Sequence, residues 1–123
     1  MKNINKKKQT IKFPNPGKYG KNLYSIFLEM LDHPFKAVSY QVRYSLTKKN
    51  VLFGKAKHAA QRMGSLLPKE HGGRGTRNNN DKRQHCWENI EDLEIVIEYH
   101  ESEQEAKAAE DILRLQKNHI FNT

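Results

Sequence analysis

Ala37-Val38-Ser39-Tyr40-Gln41-Val42-Arg43-Tyr44-Ser45-Leu46, then Thr47-Lys48-Lys49-Asn50, then Val51-Leu52-Phe53-Gly54, is the stretch that decides the fold. Residues 37–46 alternate with a period of two. Val38, Tyr40, Val42 and Tyr44 point to one side, and Ser39, Gln41, Arg43 and Ser45 to the other, the pattern of a half-buried strand. The polar run 47–50 reads as a turn and Val51–Phe53 as the returning strand of a β-hairpin, closed by Gly54. Beyond it, Lys55–Leu67 reads as a helix with Ala56, Ala59, Ala60, Met63 and Leu67 on its inner side, stopped by Pro68.

Working outward, residues 1–19 read as an irregular arm with little helix, broken by Pro14, Pro16 and Gly17. Residues 20–32 read as a short amphipathic helix with Leu23, Phe27, Leu28 and Leu31 on one face, ended by His33-Pro34. Residues 69–83, rich in Gly, Asn and Arg, read as a loop. Leu93–Tyr99 alternates as a third strand. Ser102 and Glu105 have the spacing of a capping box for a helix reaching about Lys117. The expected fold class is α+β, a small three-stranded antiparallel sheet flanked by helices. The expected division is a basic arm and short helix at 1–35 and a domain at 36–123.

The 123 residues carry 22 Lys and Arg against 14 Asp and Glu, a net charge of +8. The charge is segregated. Residues 1–12 hold five lysines and no acid; residues 48–83 hold ten basic and two acidic residues; residues 88–111 hold ten acids and one lysine. Such a balance points to a polyanionic partner, nucleic acid before anionic lipid. No apolar run approaches the about 18 residues that span a bilayer, so no membrane role is expected. The single cysteine, Cys86, excludes an internal disulfide. With no apolar stretch behind the N-terminal lysines, a cytoplasmic location is expected. His71, His85, Cys86 and His100 lack the paired spacing of a zinc site.

The hairpin Val38–Val42, the run Val51-Leu52-Phe53-Gly54-Lys55-Ala56-Lys57 and Gln61-Arg62-Met63 resemble the core of the GIY-YIG nuclease superfamily. They are most similar to the nuclease module of the bacterial excision-repair protein UvrC and to phage homing endonucleases. The family places a tyrosine on its first strand, a glycine on its second, an arginine eight residues later, a glutamate within a later helix and an asparagine near the end. Here those positions hold Tyr40, Gly54, Arg62, Glu110 and Asn122. The resemblance covers about residues 36–123. It departs in the first motif, Val-Ser-Tyr, and in the second, Leu-Phe-Gly, where Leu52 stands in place of the family's second tyrosine.

The resemblance implies a Mg²⁺- or Mn²⁺-dependent DNA endonuclease. Glu110 would hold the ion, which suits a hard cation that keeps most of its waters. By helical projection Glu110 sits at the edge of an apolar arc formed by Ala106, Ala109, Ile112 and Leu113. Arg62 would bind phosphate through its planar fork. Tyr40 would help activate the water, with Lys55 and Lys57 supplying nearby positive charge, and Asn122 would orient its neighbours. Lys57, His58, Arg74, Arg77, Lys82 and Arg83 are the expected nucleic-acid contacts. Residues 1–35 are available to clamp DNA, to engage a partner or to form a homodimer. The alternative is a nuclease-derived nucleic-acid-binding or inhibitor protein without catalysis, motivated by Leu52. The small size without a separate target-recognition domain suits a phage or mobile-element protein in either case.

Overall fold

The hairpin read from the sequence forms, and it is longer than its apolar pattern suggests. In a computed structural model describing residues 7–74 and 80–122, β2 spans Ala37–Tyr44 and β3 spans Asn50–Ala56. They pair antiparallel from Val38 opposite Ala56 to Arg43 opposite Asn50, with a bulge between Val42 and Arg43. The connection turns at Lys48, whose φ of 63° is left-handed. The register puts Gly54 beneath Tyr40.

The sheet has four strands, correcting the expected three. Its order is β1-β4-β2-β3, with β1 at Lys8–Lys12 and β4 at Leu93–His100. The segment expected as an irregular arm therefore supplies an edge strand, followed by the four-residue helix α1, Pro16–Tyr19. Among the five residues of β1 only Ile11 is apolar, so the strand has little local signature. It exists because β4 offers it a ladder, Lys8 opposite Glu98 through Lys12 opposite Glu94. Gln9 then clasps α2 (Leu23–Met30). Its amide donates to the Met30 carbonyl, and its carbonyl accepts from the Asp32 amide and the Tyr99 hydroxyl.

Helix α2 begins at an Asn22 cap that accepts from the Ser25 amide at 2.8 Å. It buries Leu23, Ile26 and Phe27. The expected helix 55–67 shrinks to α3, Ala59–Met63, because the β2–β3 ladder continues through Lys55 and Ala56. The leading amides of α3, Ala59 and Ala60, donate to the carbonyls of Lys36 and Pro34. Phe13, Phe27, Val38, Tyr40, Val42, Met63, Leu67, Ile95 and Ile97 belong to one continuous core.

Residues 80–83, expected within a loop, open α4, Asn80–Glu88. This helix buries Cys86 and has no apolar periodicity to announce it. Helix α5, Glu103–Gln116, starts at Ser102 as the capping box predicts, with the hydroxyl accepting from the Glu105 amide at 3.2 Å. Lys117 caps its C-terminal end in a left-handed conformation. It packs on β2 and β3. Its covered face differs from projection: Ala106 is buried and Glu110 half-buried, while Ile112 is exposed. No helix among the described residues is long and apolar enough to cross a membrane.

Candidate functional site

Strand β3 is an edge strand, and its first residues are covered by the C-terminal tail. His119 bridges to Asn50, and the Phe121 amide donates to the Val51 carbonyl at 2.8 Å. The strand's remaining length borders two hollows. The inner one, about 360 Å³, is lined by Tyr40 of β2, Leu52 and Gly54 of β3, Arg62 of α3, Lys82 and Arg83 of α4, and Glu110 and Arg114 of α5, among others. The outer one, about 890 Å³, is lined by Lys55, Lys57, His58, Gln61, Arg62, Arg74, Arg83, Glu103 and Glu110, among others. Arg62, Ser65, Arg83 and Glu110 border both. Residues of five elements, from Tyr40 to Arg114 in the sequence, thus meet at one strand edge.

Gly54 makes the close approach feasible. A Cβ there would stand 2.4 Å from the Tyr40 hydroxyl oxygen and 2.5 Å from the ring carbon that carries it. Without a side chain at 54, the buried Tyr40 ring lies against β3, and the Arg62 guanidinium that lines the same hollow acts on its hydroxyl. Burial pushes the Tyr40 phenol above its ordinary value, and this outweighs the downward pull of Arg62; the Glu110 carboxylate raises it further. The phenol therefore stays protonated at neutral pH.

The cations around it are crowded. Burial, then the positive charges of Arg62, Arg114 and Arg83, lower the affinity of Lys82 for its proton, while Glu110 partly restores it. Burial and Arg62 likewise lower Arg83, whose Nε donates to the Ser65 carbonyl at 2.6 Å. Like charges held together at partly desolvated positions favour an anion between them. Arg74 enters the outer cleft because Gly73 turns the chain tightly: a Cβ at 73 would sit 1.9 Å from the Leu67 carbonyl oxygen. The Arg74 guanidinium lies 4.3 Å above the Tyr24 ring.

Not every sequence-derived assignment lands in the hollow. Lys55 borders the outer cleft but lies on the sheet face opposite Tyr40, beside Ser39, and its ammonium is held by Glu103 at 3.0 Å. The positive charge acting on Tyr40 is that of Arg62, not Lys55 or Lys57 as the sequence suggested. Lys57, His58, Arg74 and Arg83 line the outer cleft, and Lys82 the inner hollow. Arg77 lies outside the described residues. Asn122 lines neither hollow; its amide donates to the Arg114 carbonyl at 3.1 Å near the end of α5. Its Oδ1 is buried with no hydrogen-bond partner among the described residues.

Sequence reading missed Arg114 and Ser65. Arg114 stands four residues after Glu110, the helical spacing of an ion pair, and that spacing was its signal. No cluster of three or more His, Cys, Asp or Glu suited to a metal occurs among the described residues. The donor set fits only an ion that takes one carboxylate and fills its remaining positions with water and substrate oxygens, the habit of Mg²⁺. Among the described residues Glu110, 14% exposed at its side chain, is the one carboxylate that borders both hollows. Comparison with known proteins found no matching family model, no matching curated protein and no matching solved structure.

Proposed function

We propose that the chain is a divalent-metal-dependent DNA endonuclease of GIY-YIG type, cutting phosphodiester bonds in the hollow at the β3 edge. One observation carries the reading. Tyr40, Gly54, Arg62 and Glu110, picked out in order along the sequence, line one 360 Å³ hollow.

The chemistry assigned to these residues follows from their state. Arg62 and Lys82 take the scissile phosphate and stabilise charge on its oxygens as the phosphorus becomes five-coordinate. Tyr40, kept protonated by burial, holds the attacking water in line through its hydroxyl rather than removing the water's proton. Glu110 would hold Mg²⁺, which when bound supplies Lewis acidity to a phosphoryl oxygen and lowers the pKa of its waters. Lys57, His58, Arg74 and Arg83 in the outer cleft contact the flanking phosphates, and Lys55, shared with Glu103, contributes less. Gly54 keeps the space for Tyr40.

Two observations favour the second reading, a binding or inhibitor protein without catalysis. Leu52, 3% exposed, offers no hydroxyl to the hollow, and Glu110 already has a cationic partner in Arg114. Nicking of supercoiled plasmid in Mg²⁺ decides between them. The endonuclease reading expects metal-dependent nicking that Glu110→Ala lowers by about 100-fold or more. Unchanged nicking in Glu110→Ala ends that reading. Salt-dependent DNA binding with neither cutting nor metal stabilisation favours the second.

A further inference from the structure

We propose that Arg114 governs when Glu110 is free to take a metal ion, holding the carboxylate until a phosphate draws the guanidinium away. This rests on the reading of Glu110 given above and adds an order of events to it: anion first, metal second.

The geometry is that of one fork between two carboxylates. Arg114 Nη1 lies 3.1 Å from Asp111 Oδ1, and Nη2 lies 3.5 Å from Glu110 Oε1. The two acids are unequal. Asp111 is 49% exposed and is also held by Lys107 at 2.8 Å, whereas Glu110 is 14% exposed and turned toward the hollow. The Glu110 contact is the longer and the more readily lost of the two. The Asp111 contact can keep the guanidinium near the helix when Glu110 is released.

Arg114 itself borders the inner hollow, so a phosphate seated there with Arg62 and Lys82 is within the guanidinium's surroundings. Its Cζ stands 5.3 Å from the centre of the Phe53 ring, which gives the side chain a flat support to pivot on. In the free protein Lys82 and Arg114 repel each other. An anion removes that repulsion and offers the Arg114 fork another bidentate acceptor. Glu110 then loses its cationic neighbour as negative charge enters the hollow, and both changes favour a divalent ion at its carboxylate. Without the anion, the same carboxylate faces Arg114, Arg62 and Lys82 and attracts a metal poorly. Arg114 is thus a positioning residue with respect to metal binding.

Mn²⁺ binding, read from loss of the free-ion electron paramagnetic resonance signal without DNA, tests this directly. Arg114→Gln is expected to tighten Mn²⁺ binding by about threefold to tenfold. Arg114→Lys, able to reach one carboxylate at a time, falls between it and the wild type. Lys117→Gln, which removes an equal charge at the C-terminal cap of α5, seven residues beyond Glu110, changes binding by less than about twofold. Sodium sulfate at constant ionic strength, standing in for phosphate, tightens Mn²⁺ binding to the wild type and not to Arg114→Gln. Equal changes in Arg114→Gln and Lys117→Gln, or equal sulfate effects in wild type and Arg114→Gln, overturn the gate. If Glu110→Gln still abolishes binding in that case, the metal reading of Glu110 stands without it. Mn²⁺ binding indifferent to Glu110→Gln, or absent in all variants, removes the reading on which the gate rests.

Discussion

Gly54 and Tyr40 hold the site together at the scale of single residues. The tyrosine's alternation on β2 and the glycine's place at the end of an apolar run were both legible in the sequence. Their contact was not, because it depends on strand register and on a ring crossing to the neighbouring strand. Gly54→Ala drives a methyl to 2.4 Å from the Tyr40 oxygen, and the buried ring has to move. We expect a loss of about 1–3 kcal/mol in urea unfolding. On the proposed function, binding of a short DNA duplex should weaken as well, since the displaced ring disturbs Arg62 in the same hollow. An unchanged urea midpoint would mean the ring is not fixed as described. Lys55 follows Gly54, the residue paired with Tyr40 across the hairpin. Strand alternation turns it to the opposite face, where Glu103 takes it.

At the scale of elements, those with an apolar period were legible and those without one were not. The strands β2 and β4 and the helices α2 and α5 carry their own pattern. The strand β1 has one apolar residue in five, and α4 buries only Cys86; tertiary partners create both. Cys86 shows how completely α4 is docked: burial pushes its thiol up to about 12. The sheet therefore depends on a segment that looked dispensable. Removing residues 1–12 exposes the edge of β4 and unties α2 from Gln9. The urea midpoint should fall by an amount equivalent to about 2–4 kcal/mol, and Cys86 should react with thiol reagents at lower denaturant than in the full chain. Retention of full stability would show that β1 contributes nothing to the sheet.

Across the whole molecule, the segregated charge resolves into paired surfaces and a site with excess positive charge. Much of the acidic run is engaged: Glu94 with Arg43 and Lys48, Glu101 with Lys36, Glu103 with Lys55, Asp111 with Lys107 and Arg114. Burial alone would raise the Glu94 carboxyl, but hydrogen bonds from Arg43 and Lys48 leave it below the ordinary range. The carboxyls of Glu101 and Glu103 are lowered first by their lysine hydrogen bonds. A carboxyl with a lower pKa in the folded state stabilises the fold above its unfolded value of about 4.3, and that stability is lost as pH falls through the folded value. The urea midpoint should therefore decline from pH 5 toward pH 3. In 0.5 M NaCl the contributions of the exposed pairs should shrink while that of Glu94, 12% exposed, persists. A midpoint flat across that range would show that these pairs do not stabilise the fold. The sequence by itself determined the α+β class, the central hairpin and the cap of α5, because periodicity, capping and turn chemistry act over a few residues; Tyr40, Gly54, Arg62 and Glu110 were singled out by family resemblance instead. Tertiary structure alone decided that β1 completes the sheet, that Lys82 and Arg83 ride on a helix, and that Arg114 and Glu110 line one hollow with them. Those outcomes rest on contacts between distant segments and on the competition of several charges for one carboxylate, which no local pattern encodes.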